Sequence, residues 1–192
     1  MQDKVNYISP ETFEKILAYV PNLGIRKQKD EDVQFLFKIL YWCALRPMEG
    51  IVRSKEDFNL EDRELSLGKT KTTKNDTATI PKIFLNELTY YLDSKEDGRL
   101  FPGLTYHTFF HWIIRIGTAL EIKAWTTPES ISGEKTKGHI FRKTVGKDML
   151  EGAFGDKAKA IPIISKHLRH KKPSTTIDHY LKASQEAVKE VF

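Results

Sequence analysis

Residues 30–50 read DEDVQFLFKILYWCALRPMEG, and this stretch decides the fold of the chain. Three acids open it, which suits the positive end of a helix dipole, and the apolar residues that follow cover most of a helix circumference. The pattern therefore predicts a helix that is central and buried. Arg46 follows the apolar run directly, and Pro47 suits the first turn of a new helix.

The sequence on either side predicts further helices and one small sheet. Upstream, Ser9-Pro10-Glu11 has the N-cap, first-turn proline and early acid of an amphipathic helix. Downstream, the short β-compatible segments 65–67 and 77–80 flank a polar, Lys-rich stretch, which predicts a β-hairpin with a basic tip. Helical spacing then returns in five segments, at residues 81–92, 109–116, 139–150, 161–170 and 175–192. The expected fold class is mainly α (α+β), a helical domain with a small antiparallel β-hairpin.

Length and composition predict one folded unit over residues 1–192. A chain of this size can bury a substantial core but falls short of two ordinary domains, and its 40% apolar content argues against disorder. No apolar run is long enough to cross a bilayer, and the polar residues after Met1 do not resemble a signal peptide, so a cytoplasmic location is expected. The only cysteine, Cys43, lies in an apolar run and is expected to be buried.

Positive charge is concentrated in the second half of the chain. The formal net charge is +5, and residues 157–172 contain six Lys or Arg and no acid. Residues 135–147 contain five more, again without an acid. One such run would usually be a solvated face, but two runs that contain histidine and arginine motifs favour phosphate binding.

The motifs of several other enzyme classes are missing from the sequence. It has no glycine loop ending in GK[ST], no GxGxxG, no CxxC and no HExxH, so nucleotide hydrolysis and zinc catalysis lose their usual support. His167, His170 and His179 could be considered as metal ligands, but the neighbouring lysines and arginines would oppose a cation. We therefore expect neither a metal nor a cofactor.

A set of separated polar residues carries the candidate chemistry. They are Arg46, Lys71 in the hairpin, His139 and Arg142 in an HxxR box, His170, and Tyr180. A phosphodiester under attack gains charge on its non-bridging oxygens, and two guanidinium groups can meet that charge with paired N–H donors. A tyrosine hydroxyl has a pKa of about 10, so its attack near neutral pH benefits from a proton acceptor such as an imidazole.

In their order and context, these residues resemble the tyrosine recombinase (phage integrase) family. The resemblance rests on Ala44-Leu45-Arg46, Thr70-Lys71-Thr72, the HxxR box, Ile164-Ser165 with Leu168-Arg169-His170, and Ser174-Thr175-Thr176 leading to Tyr180. It extends from about Ser9 to Tyr180. Two departures stand out, because Arg169 occupies the position of a usual glycine and His170 lies ten residues before Tyr180, where nine is commoner.

The resemblance implies a site-specific recombinase or integrase that cleaves and rejoins DNA through a 3′-phosphotyrosyl intermediate without metal or ATP. Integration of a virus or a plasmid, transposition of another mobile genetic element and chromosome dimer resolution stay open as its biological setting. Tyr180 would be the nucleophile, Arg46 and Arg142 the phosphate clamp, and His139 and His170 the candidate proton acceptors. Lys71 would protonate the leaving 5′ oxygen, with Lys69 and Lys74 as alternatives.

Two other functions stay open at this point, a type IB topoisomerase-like enzyme that relaxes DNA and a non-catalytic DNA-binding module. The expected partner in each case is double-stranded DNA. The family implies an N-terminal DNA-binding domain, which nothing before Ser9 could supply, and a homo-tetramer on paired sites in the full-length protein. The tail at residues 183–192 is expected to pack on a neighbouring subunit or on its own core.

Overall fold

The computed structural model describes residues 7–68, 76–126, 139–152, 157–170, 172 and 174–176. The helices are α1 (Pro10–Tyr19), α2 (Asp30–Trp42), α3 (Pro47–Ile51), α4 (Lys82–Asp93), α5 (Tyr106–Ala119), α6 (Lys123–Thr126), α7 (Ile140–Gly152) and α8 (Lys157–His167). Two short 3-10 helices follow α1 and α3, at Val20–Leu23 and Lys55–Asp57. The strands are β1 (Phe58–Asn59), β2 (Glu64–Gly68) and β3 (Asp76–Thr79).

Helix α2 lies at the centre of the domain, as its sequence predicts. Apolar side chains over most of its circumference are buried, including Leu36, Phe37 and Leu40. The helix packs against α7, where the ring centroids of Phe37 and Phe141 are 5.5 Å apart. Cys43, at the end of α2, is fully buried, and burial raises the pKa of its thiol to about 12, which confirms a core role.

The first helix begins as predicted. Ser9 is the N-cap of α1, its hydroxyl accepts a hydrogen bond from the backbone N–H of Thr12 at 3.1 Å, and Pro10 occupies the first turn. Because the side chain satisfies a donor that the helix itself leaves unpaired, it fixes where the helix starts.

The predicted hairpin is present, within a larger sheet than the sequence indicated. Strands β2 and β3 pair antiparallel with Leu65 opposite Ala78, and both side chains are buried. The additional strand β1 pairs with β2 and gives the order β1-β2-β3. It was not predicted because two residues carry no detectable alternation. The basic hairpin tip, residues 69–75, lies outside the described residues.

Several boundaries differ from the predictions. Helix α8 begins at Lys157 and ends at His167, so His170 lies beyond the helix and not within it. Helix α6 was not predicted. The helix expected over residues 175–192 lies almost entirely outside the described residues. At its beginning, residues 174–176 are described and are helical. Within the described part of the chain, no helix combines the length and apolar character that a membrane span requires.

Candidate active site

The turn after α2 determines where Arg46 lies. Ala44 adopts the left-handed conformation with φ of 50°, the N–H of Leu45 donates to the carbonyl of Leu40, and the N–H of Ala44 donates to that of Tyr41. These two bonds form a Schellman motif, which ends the helix and reverses the chain. Arg46 therefore lies just after the buried helix and is the N-cap of α3, with Pro47 in the first turn as its sequence predicts.

Glu49 fixes the side chain of Arg46 by accepting two hydrogen bonds from this residue. One carboxylate oxygen, Oε2, accepts the backbone N–H of Arg46 at 2.8 Å, and the other, Oε1, accepts Nη1 at 2.7 Å. The Arg46 side chain is 42% exposed while that of Glu49 is only 12% exposed. The guanidinium is thus oriented from beneath by a buried carboxylate and remains accessible to a ligand.

Arg142 reaches the same turn from helix α7. It is buried, and its Nη1 donates to the carbonyl oxygen of Ala44 at 2.9 Å. The preceding residue, Phe141, packs against the fully buried ring of Trp125 with centroids 5.7 Å apart, which anchors this end of α7 in the core. The structure therefore brings the guanidinium of Arg142 to the turn that directly precedes Arg46.

His139 lies among these cations at the start of α7. Burial lowers the pKa of its imidazole, and the positive charges of Arg46, Arg142 and Lys143 lower it further, to about 4. The imidazole is consequently neutral at physiological pH, and a neutral imidazole nitrogen can accept a proton. Arg46 and Arg142 thus both lie near enough to this imidazole for their charges to lower its pKa.

A second Schellman motif ends helix α8. Arg169 has φ of 50°, its N–H donates to the carbonyl of Lys166, and the N–H of His170 donates to that of Ser165. The position after a helix end of this kind is normally glycine, because an L side chain is strained there. This backbone geometry explains why the tyrosine recombinase pattern that the sequence resembles has a glycine at this position. Arg169 departs from that pattern.

The side chain of Arg169 turns back into the site. It is 8% exposed, its Nη2 donates to Oε2 of Glu49 at 2.5 Å, and its Nε lies 3.8 Å from Oδ2 of Asp76 at the start of β3. The carboxylate of Glu49 is therefore shared between Arg46 and Arg169. Sequence reasoning missed this contact, because the two partners are 120 residues apart.

His170 is held by the segment that follows it. Its Nδ1 lies 2.8 Å from the hydroxyl oxygen of Thr176, which is itself buried. Thr176 is four residues before Tyr180 in the sequence. The hydrogen bond therefore links one candidate catalytic residue to the segment that leads to the candidate nucleophile.

Two further cationic or titratable groups belong to the site. Lys143 is one turn beyond His139, and burial lowers the pKa of its amine. Burial also lowers the pKa of His167, where a hydrogen bond with the backbone of Trp42 opposes the charges of Arg169 and Arg142. An i,i+4 spacing from His139 would have identified Lys143, whereas nothing in the local sequence identifies His167.

Four of the six predicted site residues thus lie in one region, namely Arg46, His139, Arg142 and His170. The other two, Lys71 and Tyr180, lie outside the described residues, and so do Lys69, Lys74 and His179. Among the residues that the structure does describe, no group of three His, Cys, Asp or Glu side chains is placed to hold a metal ion. Guanidinium groups held in place near a neutral imidazole are suited to bind an oxyanion such as a phosphodiester.

Comparison with known proteins agrees with this chemistry. The family model described as "Phage integrase family" matches residues 6–187. No curated protein sequence matches the chain.

Solved structures share the fold. The catalytic domain of bacteriophage HP1 integrase is 21% identical with a TM-score of 0.61, and the match covers 94% of this chain and 93% of that domain. XerA recombinase is 18% identical with a TM-score of 0.65, over 96% of this chain and 64% of that one. XerH recombinase, bound to its palindromic difH substrate, is 17% identical with a TM-score of 0.63, over 95% and 52%. The chain therefore spans nearly all of the first structure, but about two thirds and one half of the other two.

Proposed function

Because this chain belongs to the phage integrase family and is a site-specific tyrosine recombinase, we propose that its converging cations hold the DNA phosphate that Tyr180 attacks. The observation that carries the proposal is that Arg142 donates to the turn directly before Arg46, while the charges of both arginines lower the pKa of His139. A guanidinium group carries a permanent positive charge and presents paired N–H donors that match a phosphate. Together the two guanidinium groups can stabilise a phosphorane-like transition state without a metal ion.

The reaction then follows from the positions of protons and charge. The phenolic oxygen of Tyr180 bonds to phosphorus, the bond from phosphorus to the 5′ oxygen breaks, and a 3′-phosphotyrosyl link remains. The phenolic proton passes to an imidazole; the lowered pKa of His139 keeps it neutral and ready to accept a proton before DNA binds, and His170 is the alternative. Lys71 supplies the proton that the departing 5′ oxygen needs. Because the phosphotyrosyl link keeps the energy of the broken bond, rejoining needs no nucleotide.

The partner in this proposal is double-stranded DNA. XerH and the Tn1549 transposon integrase, which have similar folds, are described in complexes with DNA. The chain covers only part of these proteins, so a tetramer on paired sites and a second DNA-binding domain belong to our proposal for a full-length protein. We further propose that the enzyme acts inside the cell, in the integration of a virus or another mobile element.

Capture of a covalent adduct tests the proposal. The chain is incubated with a library of nicked duplexes of random sequence, in which loss of the short strand prevents rejoining, and adducts are separated under denaturing conditions. The wild-type protein should form an adduct that mass spectrometry maps to Tyr180, and Tyr180→Phe should form none. Tyr90→Phe is the matched control, because Tyr90 is an exposed tyrosine on α4 and its loss should have no effect.

The outcomes separate the alternatives. If the library yields no adduct, or if the adduct maps to another residue, the proposed chemistry is wrong and a non-catalytic DNA-binding module is favoured. If an adduct forms at Tyr180 but the protein relaxes supercoiled DNA and never exchanges strands between paired sites, the enzyme is topoisomerase-like.

A further inference from the structure

We infer that Arg169 is a positioning residue of the recombinase site. Its guanidinium holds the carboxylate of Glu49, and Glu49 in turn holds Arg46. The same guanidinium links strand β3 to that carboxylate. The inference rests on the proposed role of Arg46 in binding the scissile phosphate. It assigns a purpose to the arginine that replaces the usual glycine at this position.

The first support is the sharing of one carboxylate. Oε1 of Glu49 accepts the Arg46 guanidinium, while Oε2 accepts both the backbone N–H of Arg46 and Nη2 of Arg169. Glu49 therefore has no freedom to rotate without breaking a contact to one arginine or the other. Since the Glu49 carboxylate orients the Arg46 guanidinium, the Arg169 side chain limits the positions that the Arg46 guanidinium can take.

The second support is electrostatic. A buried carboxylate beside a phosphate site would repel the phosphate and neutralise part of the charge of Arg46. Burial by itself would raise the pKa of Glu49, but Arg169 and then the bonds from Arg46 hold it below its ordinary value, so the group is anionic. The charge of Arg169 offsets that anion, which leaves the charge of Arg46 available to the DNA.

The third support is the position of Asp76. It is the first residue of β3 and directly follows residues 69–75, which include Lys71. Its Oδ2 lies 3.8 Å from Nε of Arg169. One buried guanidinium thus contacts the acid that orients the clamp and the strand that follows the proposed general acid.

The fourth support is that the contacts of Arg169 accompany a strained backbone. Its φ of 50° would suit glycine better, and its Nε and Nη1 are buried without a hydrogen-bond partner among the described residues. Both features disfavour an arginine at this position. The ion pairs with Glu49 and Asp76 are the compensation that the structure offers.

The test compares Arg169→Gly with Arg63→Gly. Arg63 is also an arginine at positive φ, 53°, but it is exposed in the turn between β1 and β2, so its replacement controls for the backbone change alone. The rate of adduct formation on a nicked duplex is measured against DNA concentration. We expect Arg169→Gly to lower the limiting rate by about 10- to 100-fold, as for a misplaced catalytic group, and to change the half-saturating DNA concentration little. Arg63→Gly should match the wild type.

Two more variants show whether Arg169 acts through Glu49. Arg169→Lys keeps the charge but not the two-pronged guanidinium, so its limiting rate should lie between those of wild type and Arg169→Gly. The double variant Arg169→Gly with Glu49→Gln should be no slower than Glu49→Gln alone, because both changes remove the same link. The inference is overturned if the double variant loses rate by the product of the two separate losses. It is also overturned if Arg169→Gly reaches the wild-type limiting rate.

A readout that needs no activity separates this inference from the proposed function. The side-chain carboxyl of Glu49 is titrated by carbon NMR in the wild type, in Arg169→Gly and in Arg63→Gly. We expect a higher pKa for Glu49 in Arg169→Gly only. If the wild-type protein forms no adduct, the proposed function is contradicted, and the titration still decides whether Arg169 holds Glu49. If the pKa of Glu49 is the same in Arg169→Gly as in the wild type, the inference about Arg169 is overturned.

Discussion

Binding of DNA should change the protonation of His139. In the free protein, burial and three neighbouring cations lower the pKa of this imidazole from 6.5 to about 4. A phosphate that enters between Arg46 and Arg142 brings negative charge next to these two cations, whose charges disfavour protonation of the His139 imidazole. We therefore expect the pKa of His139 to rise when a duplex is bound.

The size of the effect follows from the charges involved. At an effective dielectric constant of about 20, one negative charge at roughly 5 Å stabilises an imidazolium by about 3 kcal/mol. Since about 1.4 kcal/mol is a factor of ten, the proton affinity of His139 should rise by about a hundredfold. That change would cancel most of the depression in the free protein, so the imidazole that is neutral before binding becomes able to hold the phenolic proton after it.

The measurement is a histidine NMR titration of Tyr180→Phe, which cannot cleave, with and without a duplex. The exposed imidazoles of His107 and His111 on α5 report any general effect of DNA in the same spectra. If His139 titrates at the same pH in both states while the duplex is bound, the phosphate does not lie between the two arginines and the reasoning fails. Arg46→Gln provides a second check, because it should raise the pKa of His139 in the free protein.

Three other predictions test the fold and the binding mode. Replacement of Glu121 by glycine should stabilise the protein by about 1 kcal/mol, because Glu121 has the strained φ of 53° just after α5. Calorimetry should then show a Tm that is higher by roughly 2–4 °C. Gly117→Ala should destabilise the protein by about 1–3 kcal/mol in urea unfolding, because the new Cβ would lie 2.7 Å from the Cβ of the buried Trp125, and an unchanged midpoint would contradict this packing. The affinity for a duplex should fall steeply with salt, and Arg46→Gln should reduce the slope of log affinity against log salt by about 0.9, whereas an unchanged slope would mean that Arg46 does not contact a phosphate.

The sequence predicted those parts of the fold that local patterns encode. The cap at Ser9 predicts the start of a helix, and the apolar run of α2 predicts its burial. Both patterns are local, because each extends over a short stretch of consecutive residues. Strand β1 and helix α6 were missed, because two to four residues carry too little periodicity and form only where the rest of the fold places a partner.

The site was predictable in composition and not in its connections. Order and context selected Arg46 and Arg142, but no local rule states that one would donate to the turn before the other. The contact between Arg169 and Glu49 joins distant residues and appears only in three dimensions. The catalytic roles of all six predicted site residues stay predictions, and the adduct experiment addresses that of Tyr180.

The bond from Arg142 to the carbonyl of Ala44 has a consequence for the evolution of this enzyme. Its acceptor is a main-chain atom, which every amino acid possesses, so the bond requires the left-handed turn at position 44 and no particular side chain as its acceptor. The spacing between the two guanidiniums therefore depends on the path of the backbone and only weakly on neighbouring residue identities. Lineages that share little sequence can inherit the same spacing as long as the helix before it ends in the same kind of turn.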